Sequence, residues 1–151
     1  MSKLVINGST GQAIEAPLSP SDIAEQRANR VAYEQGLPAV TVLMVKAEAE
    51  RRIEEGTLVN GVLIKADLQS SFRLHGIVTA AGRDPNKTWT FMTDGGVKMT
   101  VNKIQAEAIF DAIEAHVSGM LATSATLQEL VASMTTVELE AFDPTDNANW
   151  P

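Results

Sequence analysis

The chain has 151 residues, 44% of them hydrophobic and 21% charged, so a core can form and a wholly disordered chain is excluded. Nineteen acidic residues against twelve basic ones give a net charge of -7, which argues against a nucleic-acid groove and against docking on an anionic membrane. Because cysteine is absent, disulfides, zinc–thiolate sites and thiol catalysis are excluded.

The first residues have the pattern of a docking arm. Residues 4–6 form a short β-type run, residues 8–11 are a turn cluster, and residues 12–16 fit a return strand. Pro17 and Pro20 then favour an extended chain. Since a lone two-stranded hairpin is barely stable in water, we expect this arm to dock onto another chain, with folding back onto its own domain as the alternative.

Two helices are predicted next. Ser21 fits the N-cap of a short helix that ends before residues 36–38, where glycine and proline stand close together. A longer helix starts at Ala39 and ends at Gly56, which is placed as a C-terminal cap. The glutamates between residues 48 and 55 flank Arg51 and Arg52, which is typical of a solvated face, and Glu48 lies four residues before Arg52, the favourable spacing for a surface ion pair. Apolar residues recur at helical spacing at Val40, Leu43, Met44 and Ala47.

Two β-hairpins are predicted, with a helix between them. Asn60-Gly61 within residues 57–64 is a strong type I′ signal. In residues 88–101, a three-residue loop at 94–96 places Trp89 opposite Val101 and Phe91 opposite Met99. The intervening helix is expected to be capped by Asp67. Its predicted buried face consists of Leu68, Phe72, Leu74, Ile77 and Val78.

The C-terminal part is predicted to be mainly helical. Asn102 caps what is expected to be the longest helix, which residues 123–126 either kink or break. A last short helix or turn begins at residue 136. Trp150 stands in a polar tail, so it either folds back as a plug or anchors in a partner. Together these elements predict an α+β fold, with two short β-hairpins packed against three main helices and an N-terminal extended arm. The expected division is an arm over residues 1–38 and a domain over residues 39–151.

No motif predicts chemistry. The sequence lacks a phosphate loop and a nucleophile elbow, and residues 143–147 resemble a calcium loop in composition but not in spacing. His75 and His116 cannot build a metal site alone and fit apolar helix faces better. We therefore predict no catalytic, cofactor or metal residues. Partner binding is assigned to the arm and the tail, at Leu4, Val5, Ile6, Ile14 and Trp150.

Neither a membrane span nor a signal peptide is expected. No apolar run approaches the ~20 residues that a span needs, and the apolar part of the first eight residues is too short for a leader. The sequence thus predicts a protein that stays in the cytoplasm or joins a particle assembled there.

The order of elements over residues 40–151 resembles a family of unknown function. The resemblance rests on Val59-Asn60-Gly61-Val62, Gln69 to Gly76, the Trp89 hairpin, Ala115-His116-Val117 and Asn149-Trp150-Pro151. Gly119 departs from the family's pattern of helix formers. Members of this family are found in tailed-phage and prophage genes near tail-fibre and tail-assembly genes, often as the C-terminal domain of a fibre-associated protein.

The resemblance implies a setting and no chemistry. It favours a non-catalytic structural component of a phage tail, in a fibre or baseplate, made in the host cytoplasm and located in the virion tail. Its expected partners are other tail or fibre proteins and copies of itself, with a trimer suggested by the threefold symmetry of fibres. The alternatives are a fibre-assembly chaperone that is absent from the virion, and a small glycan-cleaving enzyme with paired carboxylates.

Overall fold

The computed structural model describes residues 2–6, 13–93 and 98–151. The chain divides into two compact units, Met1–Val40 and Thr41–Pro151. The helix α1 (Pro20–Glu55) contains the division between them. Each unit is described by itself.

Unit 1 contains an antiparallel hairpin and the start of α1. Strand β1 (Ser2–Ile6) pairs with β2 (Ala13–Pro17), so that Val5 lies opposite Ile14. The turn predicted at residues 8–11 lies outside the described residues.

The cap of α1 corrects the sequence prediction. Ser19 caps the helix and Ser21 does not, because the Ser19 hydroxyl accepts from the Asp22 amide at 3.2 Å while the Asp22 carboxylate accepts from the Ser19 amide at 2.9 Å. Pro20 occupies the first helical position, where its missing N–H costs no hydrogen bond. Pro20 therefore starts a helix and does not extend a linker.

The predicted break at residues 36–38 is also wrong. Helix α1 runs through Pro38 as one element of 36 residues. A proline inside a helix removes one backbone hydrogen bond and crowds the preceding turn, and α1 accommodates both effects without ending. The predicted apolar stripe at Val40, Leu43 and Met44 is exposed. In unit 2 the buried side of α1 instead consists of Thr41, Val45, Glu48 and Ala49.

The first hairpin of unit 2 confirms its turn prediction. Strands β3 (Thr57–Val59) and β4 (Val62–Ile64) are antiparallel, and Asn60 and Gly61 have φ of 51° and 78°, as a type I′ turn requires. Gly56 ends α1 with φ of 81°, and its amide donates to the Ile53 carbonyl at 3.0 Å. A Cβ atom at Gly56 would lie 2.1 Å from the Ile64 carbonyl oxygen, so only glycine fits there.

The second hairpin has the predicted register. Strands β5 (Trp89–Met92) and β6 (Lys98–Val101) pair Trp89 with Val101 and Phe91 with Met99. The predicted loop at 94–96 lies outside the described residues. On one face of the hairpin, the Thr90 and Thr100 hydroxyls are 3.1 Å apart.

Helix α2 (Leu68–Arg83) has the predicted cap, and Leu74, Ile77 and Val78 of the predicted buried face do point to the core. The Asp67 carboxylate accepts from the Ser70 amide at 2.8 Å. Phe72 was predicted to be buried, yet 68% of its surface is exposed. The inward row recurs at three- and four-residue steps and leaves Phe72 on another side of the helix. Its members are Leu74, Ile77, Val78 and Ala81.

Helix α3 (Lys103–Ser133) begins with the predicted cap, where Asn102 and Gln105 form a reciprocal capping box. Of the predicted kink or break at residues 123–126, the break does not occur: α3 is continuous there, and the Thr126 hydroxyl donates to the Ala122 carbonyl of the same helix at 3.1 Å. With 31 residues, α3 is shorter than α1. Helix α4 (Thr136–Ala141) follows as predicted, and a 3₁₀ turn spans Asn147–Asn149.

The fold is α+β, as predicted, with short hairpins packed against the helices. The two hairpins of unit 2 supply β3, β4 and β6 to the core, where α2 and α3 cover them. Trp89 and Phe110 are partly buried against this core. Its buried members are Val59, Ile64, Ala66, Leu74, Val101, Ala106, Ile109 and Ile113.

Candidate functional site

An open apolar groove lies between α2 and α3 in unit 2. Its volume is about 780 Å³, a size at which apolar groups of a partner or ligand can enter. Leu74 and Ile113 are buried beneath it, and Leu121 is exposed at its side. The groove is lined by Ser71, Leu74, Phe110, Ile113, Glu114, Val117, Ser118, Leu121 and Ala122.

Two features of the sequence leave this groove open. Helix α2 has 16 residues and begins close to the lining residue Ser71, whereas α3 has 31 residues and continues past it. The lining also includes Ser118 and Ala122, whose side chains are too small to fill the space. The side of α3 that carries Ser118, Leu121 and Ala122 is therefore exposed near the start of α2.

The groove has one charged lining residue, Glu114, which is exposed. Beside it, the rings of His75 and Phe110 are 6.0 Å apart at an angle of 49°. His75 itself is exposed, so the prediction that it lies on an apolar face is wrong. Like Phe72, His75 lies on a part of the α2 surface that faces solvent and not the core.

The predicted arm residues lie in the hairpin of unit 1. Leu4, Val5 and Ile6 belong to β1 and Ile14 belongs to β2, where Val5 is opposite Ile14 and Leu4 is opposite Glu15. Their side chains lie outside the described atoms. Within the described ranges, this hairpin pairs with no third strand. The outer main-chain edges of β1 and β2 thus carry N–H and C=O groups that a further strand can use.

Trp150 folds back into unit 2, which is the plug alternative. Only 7% of its surface is exposed, and its Nε1 donates to the Pro144 carbonyl at 2.8 Å. The Arg52 guanidinium carbon lies 5.2 Å from the centre of its ring, within range of a cation–π contact. In this arrangement the indole packs within its own chain and is not exposed for binding to a partner.

Arg52 connects α1 to the tail and to α3. Its Nη2 donates to the Thr145 carbonyl at 3.0 Å and to Asn147 Oδ1 at 2.7 Å. Its own carbonyl oxygen lies 3.1 Å from His116 Nε2. His116 is half-buried. One guanidinium and one carbonyl therefore join α1, α3 and the last turn of the chain.

Glu48 corrects the prediction of a fully solvated acidic face. Its side chain is 5% exposed, and its Oε1 accepts from Arg51 Nη2 and from Arg52 Nε, each at 2.6 Å. The Arg51 bonds, followed by those of Arg52, lower the pKa of Glu48 despite the opposing effect of burial. A carboxylate held ionised by two guanidiniums is a poor proton donor, so the arrangement is structural.

The aspartates of the C-terminal tail accept hydrogen bonds that stabilise local turns. Asp143 Oδ1 accepts from the amide and hydroxyl of Thr145 at 2.8 and 2.7 Å, and these bonds lower the pKa of Asp143. Asp146 Oδ1 accepts from the Ala148 amide at 2.9 Å.

Across the described ranges, no group of three or more His, Asp or Glu side chains is placed to hold a metal ion. None of the described helices is both long and apolar enough to cross a membrane.

Comparison with known proteins gives a family. The model of a domain of unknown function, DUF4376, matches residues 37–146. The chain belongs to this family. Neither a curated protein nor a solved structure matches it.

The DUF4376 match covers nearly all of unit 2. It begins within α1, three residues before the expected start at 40, and ends at residue 146 instead of residue 151. The α2–α3 groove lies wholly inside the matched region. The hairpin β1–β2 and Trp150 lie outside it.

Sequence reasoning missed two features of the DUF4376 domain. The groove depends on the relative lengths of α2 and α3 and on the small residues Ser118 and Ala122, and the pattern of apolar residues does not reveal a gap between helices. At the Glu48 cluster the predicted pair of Glu48 with Arg52 is confirmed, whereas the burial of Glu48 and its second pair with Arg51 were missed.

Proposed function

We propose that this chain is a non-catalytic structural component of a bacteriophage tail, in a fibre or baseplate, and that it joins its neighbours through the N-terminal hairpin. The setting is supported by the resemblance in element order described above. The mode of attachment is supported by one observation, the isolated pairing of β1 with β2 in the described chain.

The hairpin is suited to strand addition. Five residue pairs form it, from Ser2 opposite Pro17 to Ile6 opposite Ala13. A two-stranded sheet of this size is marginal alone, and a strand from another chain would satisfy an open edge with main-chain hydrogen bonds. The proposed partner is therefore a β-strand of a neighbouring tail or fibre protein.

The α2–α3 groove offers a second surface for the same assembly. Its apolar lining, interrupted by Glu114, fits the apolar side of a helical segment from a neighbouring tail protein. The proposed assembly contains several copies of this chain. It forms in the host cytoplasm and becomes part of the virion tail.

Mass spectrometry of purified virions tests this proposal. Particles from the strain that carries the gene should contain the chain together with the other tail proteins, at a constant ratio through successive density gradients. A chain that binds fibre proteins in the lysate and is missing from the particles would instead be the assembly chaperone. A chain found in neither fraction contradicts both roles.

A truncation tests the hairpin. A chain that starts at Ser19 keeps the cap of α1 and lacks both strands. It should remain folded and be absent from particles. The matched variant Leu58→Ser removes an exposed apolar side chain from the β3–β4 hairpin and should leave incorporation unchanged. Normal incorporation of the truncated chain would show that the hairpin is not the connector.

A further inference from the structure

Residues 143–151 hold their shape through hydrogen bonds within the segment. Trp150 Nε1 donates to the Pro144 carbonyl at 2.8 Å, and Asn149 Nδ2 donates to the Asp143 carbonyl at 2.9 Å. Both bonds close over the 3₁₀ turn near the C-terminus. These bonds make the segment one compact turn, and residues 143–151 are called the latch below.

The latch is joined to the rest of unit 2 through Arg52. Within the described part of the chain, the hydrogen bonds that enter the latch from outside come from Arg52 Nη2, which donates to the Thr145 carbonyl at 3.0 Å and to Asn147 Oδ1 at 2.7 Å. The guanidinium carbon lies 5.2 Å from the centre of the Trp150 ring, and that indole is 7% exposed. One guanidinium and one packed indole therefore hold the latch in place.

The core of unit 2 is built without the latch. Among the described residues, the core cluster and the side chains packed against it include no member of this segment. Helix α1 reaches that core through Ile53, which is next to Arg52 in the sequence. Arg52 Nε also donates to Glu48 Oε1 at 2.6 Å within α1. The arginine is therefore held on α1 by contacts that do not involve the latch.

We propose that the latch opens and closes as one unit while the core of unit 2 stays folded, with Arg52 as the residue that holds it closed. A turn this short is marginal alone, so its internal bonds break together when the contacts with Arg52 are lost. Proteins open locally in such cooperative units at a lower free energy than that of complete unfolding. This inference goes beyond the proposed function and does not depend on it.

Opening of the latch changes what unit 2 presents to a partner. In the closed latch the Trp150 indole is buried and the Arg52 side chain is 13% exposed. In the open latch both side chains are accessible. Tryptophan and arginine are enriched among the side chains that dominate binding energy at protein interfaces. The latch therefore controls access to a pair of side chains suited to binding another protein.

Hydrogen exchange of the full-length chain, followed by NMR in urea below the unfolding transition, tests the latch. The indole N–H of Trp150 and the amide of Asn149 should exchange with one common opening free energy and little urea dependence. The amide of Ile113, a buried residue of α3, should exchange more slowly and with a steep urea dependence. If all three protons share one free energy and one urea dependence, the latch opens only with the whole of unit 2 and the inference is wrong.

Paired lysine variants test the role of Arg52. Arg52→Lys keeps the charge but loses the forked contact with two latch oxygens, so the latch protons should exchange about tenfold faster. Arg51→Lys makes the same change at a neighbouring residue that bonds to carboxylates within α1, so the latch protons should keep their wild-type rate. Continued protection of the Ile113 amide shows that each variant is folded. Equal rates in the two variants would overturn the assignment of Arg52 as the residue that holds the latch.

Discussion

The two parts of α1 have the same backbone conformation and very different surroundings. From residue 23 to residue 33 every side chain is exposed, whereas between residues 41 and 49 the helix has Thr41, Val45, Glu48 and Ala49 buried in unit 2. Helix propensity is similar on the two sides of Pro38, so propensity does not explain the difference. The comparison teaches that the second part is stabilised by packing within unit 2, whereas the first part leaves its side chains exposed.

The largest expected effect is the loss of stability of unit 2 on substitution of Gly56, where α1 ends. Gly56→Ala places a methyl group against the Ile64 carbonyl at a residue with φ of 81°, so the chain must distort or unfold. We expect a loss of about 4 kcal/mol or more in the free energy of unfolding, measured with urea. Gly61→Ala has a similar φ of 78° and open space around it. It should lose only about 1 kcal/mol, and equal losses would contradict the steric explanation.

The next effect concerns the tail that closes unit 2. Trp150→Ala removes a buried indole and its contact with Arg52, so we expect a loss of about 3 kcal/mol. Trp150→Phe keeps a ring and removes the bond to the Pro144 carbonyl, and it should lose about 1 kcal/mol. If Trp150→Ala unfolds at the same urea concentration as the wild type, the plug does not support the domain.

A smaller effect comes from Glu48. Glu48→Gln weakens the charged hydrogen bonds from Arg51 and Arg52 to a buried carboxylate, and it should lower the free energy of unfolding by about 2 kcal/mol at pH 7. The control Glu50→Gln makes the same charge change at an exposed position of α1 and should be close to neutral.

The pH dependence of the Glu48 effect has a defined sign. Because folding lowers the pKa of this carboxyl, its contribution is fully present above the unfolded value of about 4.3 and is lost as the pH falls through the lower folded value. The difference between the wild type and Glu48→Gln should therefore be constant near neutral pH and shrink in acid. A difference that grows as the pH falls would contradict the ion-pair assignment.

The smallest expected effect comes from a substitution in the exposed first part of α1. Tyr33→Lys changes only the first part of α1, so the free energy of unfolding of unit 2 should change by less than about 0.5 kcal/mol. Near-UV circular dichroism, which reports on packed tryptophans in unit 2, should show the same urea midpoint. A clear shift in that midpoint would mean that unit 2 depends on the first part of α1.

Local signals were predicted well because a few neighbouring residues decide them. Asn60-Gly61 specifies its turn through positive φ angles, and Asp67 and Asn102 cap the helices that follow them. The register of β5 with β6 followed from the alternation of side chains. The error at Ser21 arose because two serines compete for the cap, and only the pairing of Ser19 with Asp22 decides between them.

Burial was harder to predict because it depends on what covers a residue. Phenylalanine is typical of protein cores, yet Phe72 is exposed because the row of residues that includes Leu74 forms the inward side of α2. Glu48 looked solvated, since its burial depends on elements distant in sequence. The α2–α3 groove exists because α2 and α3 differ in length, and no local sequence pattern shows how far one helix extends beyond the other.

Hydrogen exchange along α1 tests the central claim most directly. We expect the amides of residues 41–55 to be strongly protected from exchange, and those of residues 23–35 to exchange rapidly in the dilute chain. Equal protection of both parts in the diluted, monomeric chain would contradict the account.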